Sequence, residues 1–286
     1  MTDLRLDHVL IAVRDLTVTK DSFERLGFKV TPEGRHPGRG TSNRLVVFGP
    51  EYLELISVHD PTGDLFRPNL VPFLGAREGP FIFCMGTNDV QGRVEDIRSK
   101  GVQVADPIQG SRQAADGSTA YSWTQAEIAP DATPGSQTFF IQHDHTVEER
   151  YTEPADPTNH PNGVNGIFSL ALAVQNAETA AKRWMDIFGL EEVSEDQTID
   201  ELTKKIRLRF ENCYLDFVEP LAGGALSDFL TTFGEGPYEI TFSCKDLGAT
   251  QSLIETNDVL GLKRDAEFLT VAPESAQGVR MIFVQE

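Results

Sequence analysis

Long apolar runs are missing from this chain of 286 residues. A helix needs about 18 to 20 successive apolar residues to cross a bilayer, so no membrane-spanning helix is expected. Basic clusters are missing as well. Lysine and arginine total 25 against 44 aspartates and glutamates, and the net charge of −19 would repel a phosphate backbone, which argues against a nucleic-acid partner. Cysteine is scarce. Cys84, Cys213 and Cys244 have spacings that suit neither a disulfide framework nor a zinc knuckle, so they read as reduced core residues. The opening Met1-Thr2-Asp3-Leu4 has neither the basic nor the apolar region of a signal peptide, and a soluble, cytoplasmic protein is expected.

What the chain does have is one phrase written four times: HVLIAVRDL from His8, IFCMGTNDV from Ile82, SLALAVQNA from Ser169 and EITFSCKDL from Glu239. Each copy is a mostly apolar run that reaches Asp15, Asp89, Asn176 or Asp246. An Asx side chain there can accept hydrogen bonds from free backbone amides, turning the chain and capping a helix. The repeats fall into two pairs. Copies one and three lie nearly as far apart as copies two and four, and the even copies share the lead-ins Glu78-Gly79-Pro80 and Glu235-Gly236-Pro237.

Strand-like text follows each helix, so each unit reads as one helix and about four short strands, an α+β plan of βαβββ type. The spacing predicts a first domain over 1–143 (units 1–74 and 75–143) and a second over 166–286 (units 166–230 and 231–286). Residues 144–165 between them are polar and proline-rich and read as a surface linker. At this length each domain could bury its own core.

Alternation along the strands indicates which side chains converge. In the first strand Leu6, His8, Leu10 and Ala12 share one face; Asp7, Val9, Ile11 and Val13, the more aliphatic set, suit packing against a helix. In the strand from Tyr52, the residues Tyr52, Glu54 and Ile56 share a face, opposite Leu53 and Leu55. His8 and Glu54 are then expected on one concave surface, as an imidazole and carboxylate suited to zinc, manganese, nickel or iron. An imidazole packed against Glu54 without any metal is an equally sound reading.

The order of elements, with LDHVLIAVRDL, RHPGRGTSNRLVVFG before YLELI, FFIQ and NHPNGVNGI, resembles the vicinal oxygen chelate superfamily, and most sharply its glyoxalase-like branch. The resemblance implies four βαβββ units forming two tandem paired domains whose mixed sheets curl into cups. It also implies that metal ligands of the metal-dependent members sit at the places of His8 and Glu54 and at two matching places of the partner unit. One of those is Ile82, which cannot bind a metal; the other falls near Thr138 to His143 and would be Gln142, His143 or an apolar residue.

The loop from Gly34 to Asn43 matches the branch's H-x-x-x-G-T-x-N pattern with His36, Gly40, Thr41 and Asn43, so it is expected at the rim of the cup. Substrate contacts are expected from Thr41, Asn43, Tyr52, Trp123 and Phe140, with the stretch from Gly110 to Gly135 as a lid or wall. The leading expectation is a divalent-metal-dependent lyase or isomerase acting on a small carbonyl or vicinal-oxygen compound. His8, Glu54, Gln142 and His143 would hold the ion, and Glu54 and His36 would carry protons. The alternative is a metal-free binding protein of bleomycin-resistance type. The second half carries Ser169, Asp216 and Glu239 at the places of His8, Glu54 and Ile82 and has no histidine after His160, which argues against an extradiol dioxygenase. A small-molecule ligand is the expected partner, and a homodimer is an arrangement the sequence allows.

Overall fold

The computed structural model describes residues 4–65, 67–114, 117–151, 154–193, 198–200 and 202–286. Met1 to Asp3 of the opening segment and Thr152 and Glu153 of the linker lie outside them.

Each written phrase is a strand leading into a helix. They are β1 (Arg5–Ala12) with α1 (Leu16–Arg25), β5 (Gly79–Gly86) with α3 (Val90–Ser99), β9 (Val164–Ala173) with α5 (Ala177–Phe188), and β14 (Gly236–Cys244) with α7 (Leu247–Thr256). All four Asx residues cap as expected. Asp15 accepts from the amides of Thr17 and Val18, Asp89 from Gly92, Asn176 from Thr179 and Asp246 from Ala249.

Between these pairs lie β2 (Gly34–Arg35), β3 (Thr41–Val47), β4 (Tyr52–Val58) and α2 (Leu70–Ala76), then β6 (Ile108–Gln113), β7 (Thr119–Glu127), β8 (Thr138–His143) and α4 (Val147–Arg150). The second half adds β10 (Glu191–Glu192), β11 (Thr198–Asp200), β12 (Thr203–Arg209), β13 (Tyr214–Pro220), α6 (Ala225–Phe233), β15 (Leu262–Arg264), β16 (Phe268–Val271) and β17 (Arg280–Gln285). The result is the tandem fold of the vicinal oxygen chelate superfamily. First-half strands form a closed barrel in the order β1-β4-β3-β2-β6-β7-β8-β5, sealed between β2 and β6 by the pair Arg35 and Gln113. Those of the second half form a sheet ordered β10-β12-β13-β9-β14-β17-β16-β15, with β11 beside β12.

The two sheets do not bury separate cores. One apolar cluster runs from Leu4 to Phe283, because aromatic rings from each half reach into the other. Phe83 of β5 stacks on Trp184 of α5 at 5.5 Å, and Phe28 lies 5.4 Å from Phe242 of β14. Arg77, after α2, sits over Phe73 and over Phe229 and Phe233 of α6, tying the two short helices together. Gly79 has a φ of +121°, and a Cβ there would come 2.7 Å from the Gly278 carbonyl oxygen. That lead-in glycine is thus required by the approach of the other half.

The segment expected as a surface linker is packed down in its described part. Tyr151, Arg150, His160 and Asn162 are buried. His160 accepts from the Lys29 amide at Nδ1 and donates from Nε2 to the Val47 carbonyl, a pairing that only the neutral ring can make. Its proline-rich composition reflects irregular backbone, and hydrogen bonding to the first half supplies the order that periodicity lacks. Cys84, Cys213 and Cys244 are free and buried.

Candidate functional site

The inner wall of the barrel brings most of the expected site residues together. A cavity of about 320 Å³ is lined by His8 and Leu10 from β1, Thr41 and Asn43 from β3, and Tyr52, Glu54 and Ile56 from β4. Across it stand Phe81 from β5, Tyr121, Trp123 and Gln125 from β7, and Phe139 and Ile141 from β8. His36 and Arg39 come from the loop before β3, Arg67 from the segment leading into α2, and Leu70 from its first residue. In its described residues the stretch from Gly110 is wall rather than lid. It forms the hairpin β6–β7, part of the barrel wall, and alternation along β7 turns Tyr121 and Trp123 inward.

Glu54 is the centre of the polar groups. Asn43 donates to Glu54 Oε1 at 2.8 Å and is itself held by Arg112, whose Nε donates to Asn43 Oδ1 at 2.8 Å. His36 Nε2 lies 3.4 Å from Oε1, and His8 Nε2 lies 3.6 Å from Oε2. Burial alone would push the Glu54 carboxyl up, but His36, His8, the Asn43 hydrogen bond and Arg67 together hold it below its ordinary value. Burial pushes His36 down, so its ring is neutral at pH 7. With His36 Nδ1 bonded to Thr41 Oγ1 at 2.9 Å, Nε2 is the nitrogen turned toward the carboxylate.

His8 is fixed from behind. Its ring stacks on Tyr52 at 4.5 Å, and its Nδ1 lies 2.8 Å from Asp7 Oδ1. The opposite face expected for Asp7 is therefore corrected. Pairing between β1 and β5 slips between Leu6 and His8, a β-bulge that leaves Asp7 as the extra residue and sends Leu6 to the helix-packed core. Beyond Asp7, His143 Nε2 lies 3.1 Å from the same carboxylate and Arg150 Nη1 lies 3.0 Å from that nitrogen. Burial would raise the Asp7 carboxyl, yet His143 and His8 outweigh it and keep Asp7 well below the carboxylate range.

The expected residues are thus distributed unevenly. His8, His36, Thr41, Asn43, Tyr52, Glu54 and Trp123 all line the cavity. Gln142 does not; it accepts from the Val90 amide at the start of α3, on the outer side of β8. Phe140 also faces outward, against Phe188 of α5. The inward places of β8 are Phe139, Ile141 and His143, and His143 lies beyond Asp7, outside the main cavity. By the parallel registers β1–β4 and β5–β8, Phe139 stands where Glu54 stands in the first unit. The second unit therefore offers Ile82 and Phe139, two apolar residues, at its ligand places. His59 and His145 are exposed. Arg112, Arg67 and Phe81 were not anticipated; their places depend on strand register and helix packing, which local sequence does not carry.

A divalent ion with nitrogen and oxygen ligands at about 2.1 Å places neighbouring donors about 3 to 3.4 Å apart. The His8–Glu54 and His36–Glu54 separations are close to that, and each imidazole is held at its other nitrogen, as metal-bound histidines are. The donor set fits an ion held by Glu54 and one imidazole, with several positions open, and does not form a closed cage. Among the described residues the tightest three-donor group is Asp7, His8 and Cys84, within 4.8 Å of one another, on the far side of His8 from the cavity.

The family model described as a glyoxalase-like domain matches residues 6–188, more than half of the chain. The chain belongs to the glyoxalase-like domain family. Solved structures similar to this glyoxalase-like protein include a hypothetical protein from Staphylococcus aureus, with TM-score 0.69 and 16% identity over 99% of this chain and 100% of that one. A mutant 4-hydroxymandelate synthase from Streptomyces coelicolor has TM-score 0.72 and 12% identity, covering 100% of this chain and 93% of that one. A xylose isomerase-like TIM barrel/4-hydroxyphenylpyruvate dioxygenase fusion protein gives 0.62 at 14% identity, over 100% of this chain and 49% of that one. At these identities the likeness shows the fold alone. No curated protein matches the sequence. Among the described residues of this glyoxalase-like protein, no helix is long and apolar enough to cross a membrane.

Proposed function

We propose that the first-half cavity is an active site of lyase or isomerase type for a small carbonyl or vicinal-oxygen compound, with His8, Glu54 and His36 as its ion-binding and proton-handling groups. The observation that supports this reading is the placing of two oriented imidazoles 3.4 and 3.6 Å from a buried carboxylate in an aromatic-walled cavity. Such a site needs its charged groups fixed before substrate arrives. Here Arg112 holds Asn43, Asn43 holds Glu54, and Asp7 holds His8.

A compound of that kind would lay its apolar part against Phe81, Trp123 and Phe139 and turn its oxygens toward Glu54 and His8. A zinc, manganese, nickel or iron ion bound there would polarise two neighbouring oxygens and spread developing enolate charge. The neutral His36 ring can take at Nε2 the proton lost from the substrate carbon beside its carbonyl, and the Glu54 carboxylate 3.4 Å away stabilises the imidazolium so formed until the proton is returned to the product. Asp7 keeps the His8 ring in one orientation, with its Nε2 facing the cavity.

A second reading, a metal-free binding protein of bleomycin-resistance type, draws support from Ile82 and Phe139 at the partner unit's two ligand places. Elemental analysis of protein purified without chelator or metal-affinity tag separates the two. The first reading expects near-stoichiometric divalent metal that is lost in both His8→Ala and Glu54→Gln. Retention in both variants, or no uptake from zinc, manganese, nickel and iron, would sink it and leave the binding protein.

A further inference from the structure

A second cavity lies beyond Asp7, where β1 begins and β5 and β8 end. It holds about 380 Å³, and its lining includes Arg5, Asn88, His143, His145, Glu148 and Arg150. Among the described lining residues two arginines and two histidines thus meet one carboxylate, in a chain whose net charge is −19. Glu148 is exposed, whereas Arg150 is 8% exposed and the His143 side chain 6%. Among the described residues neither arginine forms an ion pair. Arg5 reaches Asn88 Oδ1 at 3.5 Å, and Arg150 reaches the Tyr151 hydroxyl at 2.7 Å and His143 Nε2 at 3.0 Å.

Each of the two buried side chains leaves a nitrogen unanswered. Arg150 Nε and His143 Nδ1 are enclosed and have no hydrogen-bond partner. Protein interiors seldom leave such atoms bare, because a buried donor without an acceptor forfeits the bonds it had in water. Arg150 Nε can only donate. His143 Nδ1 is a donor too. A neutral ring that accepts from Arg150 Nη1 carries its proton on Nδ1, and a charged ring that donates to Asp7 carries one there as well. Asp7 does not serve these atoms, since it meets His8 Nδ1 and the other nitrogen of the His143 ring. The cavity that both side chains line is where an acceptor can enter.

We propose that this cavity is a binding site for a phosphate-type oxyanion, free or carried on a small molecule, held by Arg5, Arg150 and His143. The donors come from three separate elements, β1, α4 and β8, and so converge from different sides. A tetrahedral anion offers acceptors in all those directions and a planar carboxylate in fewer, and the fork of arginine donors suits phosphate. The many carboxylates elsewhere on the surface do not bar a single anion, because exposed charges more than about 8 Å away are largely screened at physiological salt. Occupancy of this site does not depend on the chemistry at Glu54.

Imidazole proton–nitrogen NMR of the full chain, titrated with sodium phosphate at constant pH and ionic strength, tests it. The expected result is a saturable shift of His143 Nδ1, with His59 and His160 unmoved. Arg5→Gln should weaken binding about tenfold, and Arg5→Lys should restore most of it. Phenyl phosphate binding at least as tightly would assign the site to a phosphate ester, and weaker binding to the free anion. No saturable shift at His143, uniform drift of every histidine, movement confined to His8 and His36, tighter binding of sodium acetate than of phosphate, or unchanged affinity in Arg5→Gln would each overturn the proposal.

Discussion

The two halves place a carboxylate at the same point of the same strand and treat it in opposite ways. Glu54 in β4 faces Leu45 across the ladder, whereas Asp216 in β13 faces Arg207. Leucine cannot bond a carboxylate, so Glu54 is left to Asn43 and the two imidazoles that open on the cavity. Arginine grips Asp216 with two hydrogen bonds and closes it off. A single cross-strand residue thus separates a carboxylate left open to the cavity from one closed by an ion pair. Ser169 in place of His8 completes the contrast.

The strongest way to break this comparison is to exchange the cross-strand residues. Arg207→Leu leaves Asp216 buried without its ion-pair partner and should cost about 3 to 5 kcal/mol in urea unfolding. The reciprocal Leu45→Arg should tie up Glu54 and remove any divalent metal found in the native protein, measured by elemental analysis; metal retained at native stoichiometry would refute the contrast.

The junction between the halves should respond to acid. His160, partly desolvated, is lowered to about 4 from an ordinary value of 6.5. The unfolded chain therefore takes up a proton that the folded one refuses, so stability is fully present above about pH 6.5 and falls as pH drops toward 4. The loss approaches about 3 kcal/mol. Urea midpoints measured between pH 7 and pH 4.5 should show that slope in the native chain and a shallower one in His160→Gln.

The lead-in glycines sharpen the comparison at smaller scale. Gly79→Ala forces a side chain onto Gly278 at positive φ and should cost about 1 to 3 kcal/mol. Gly236 has no such φ, and its nearest neighbour to a Cβ would be Arg77 Nη2 at 3.6 Å, so Gly236→Ala should be nearly neutral. Thermal midpoints of the two variants decide whether the shared motif carries one role or two. The smallest and most uniform effect should come from the caps: Asp15→Ala and Asp246→Ala should each cost about 1 kcal/mol, since the two residues hold equivalent amides in both halves.

The repeat, its four capped helices and the inward turn of His8 and Glu54 were legible because each rests on contacts within a few residues or on the period of two along a strand. Asp7 was misplaced because a bulge resets that period and leaves no mark in composition. Gln142 is expected at the cavity from its place near the second unit's ligand position and Phe140 from its aromatic ring, while the parity of β8 selects Phe139 and Ile141 instead. Arg112 could be found only from the pairing of β2 with β6, which brings together residues distant in sequence. The linker hid its order in hydrogen bonds to Lys29 and Val47 that no local pattern announces.

The interleaving of Phe83 with Trp184 and of Phe28 with Phe242 has a consequence for how the molecule comes apart. Neither half can lose its structure without uncovering the aromatic surface of the other, so heat or denaturant should melt the duplicated chain in a single cooperative step, and a half expressed alone should aggregate. The repeat is still readable as two halves, but the largest core they bury is one.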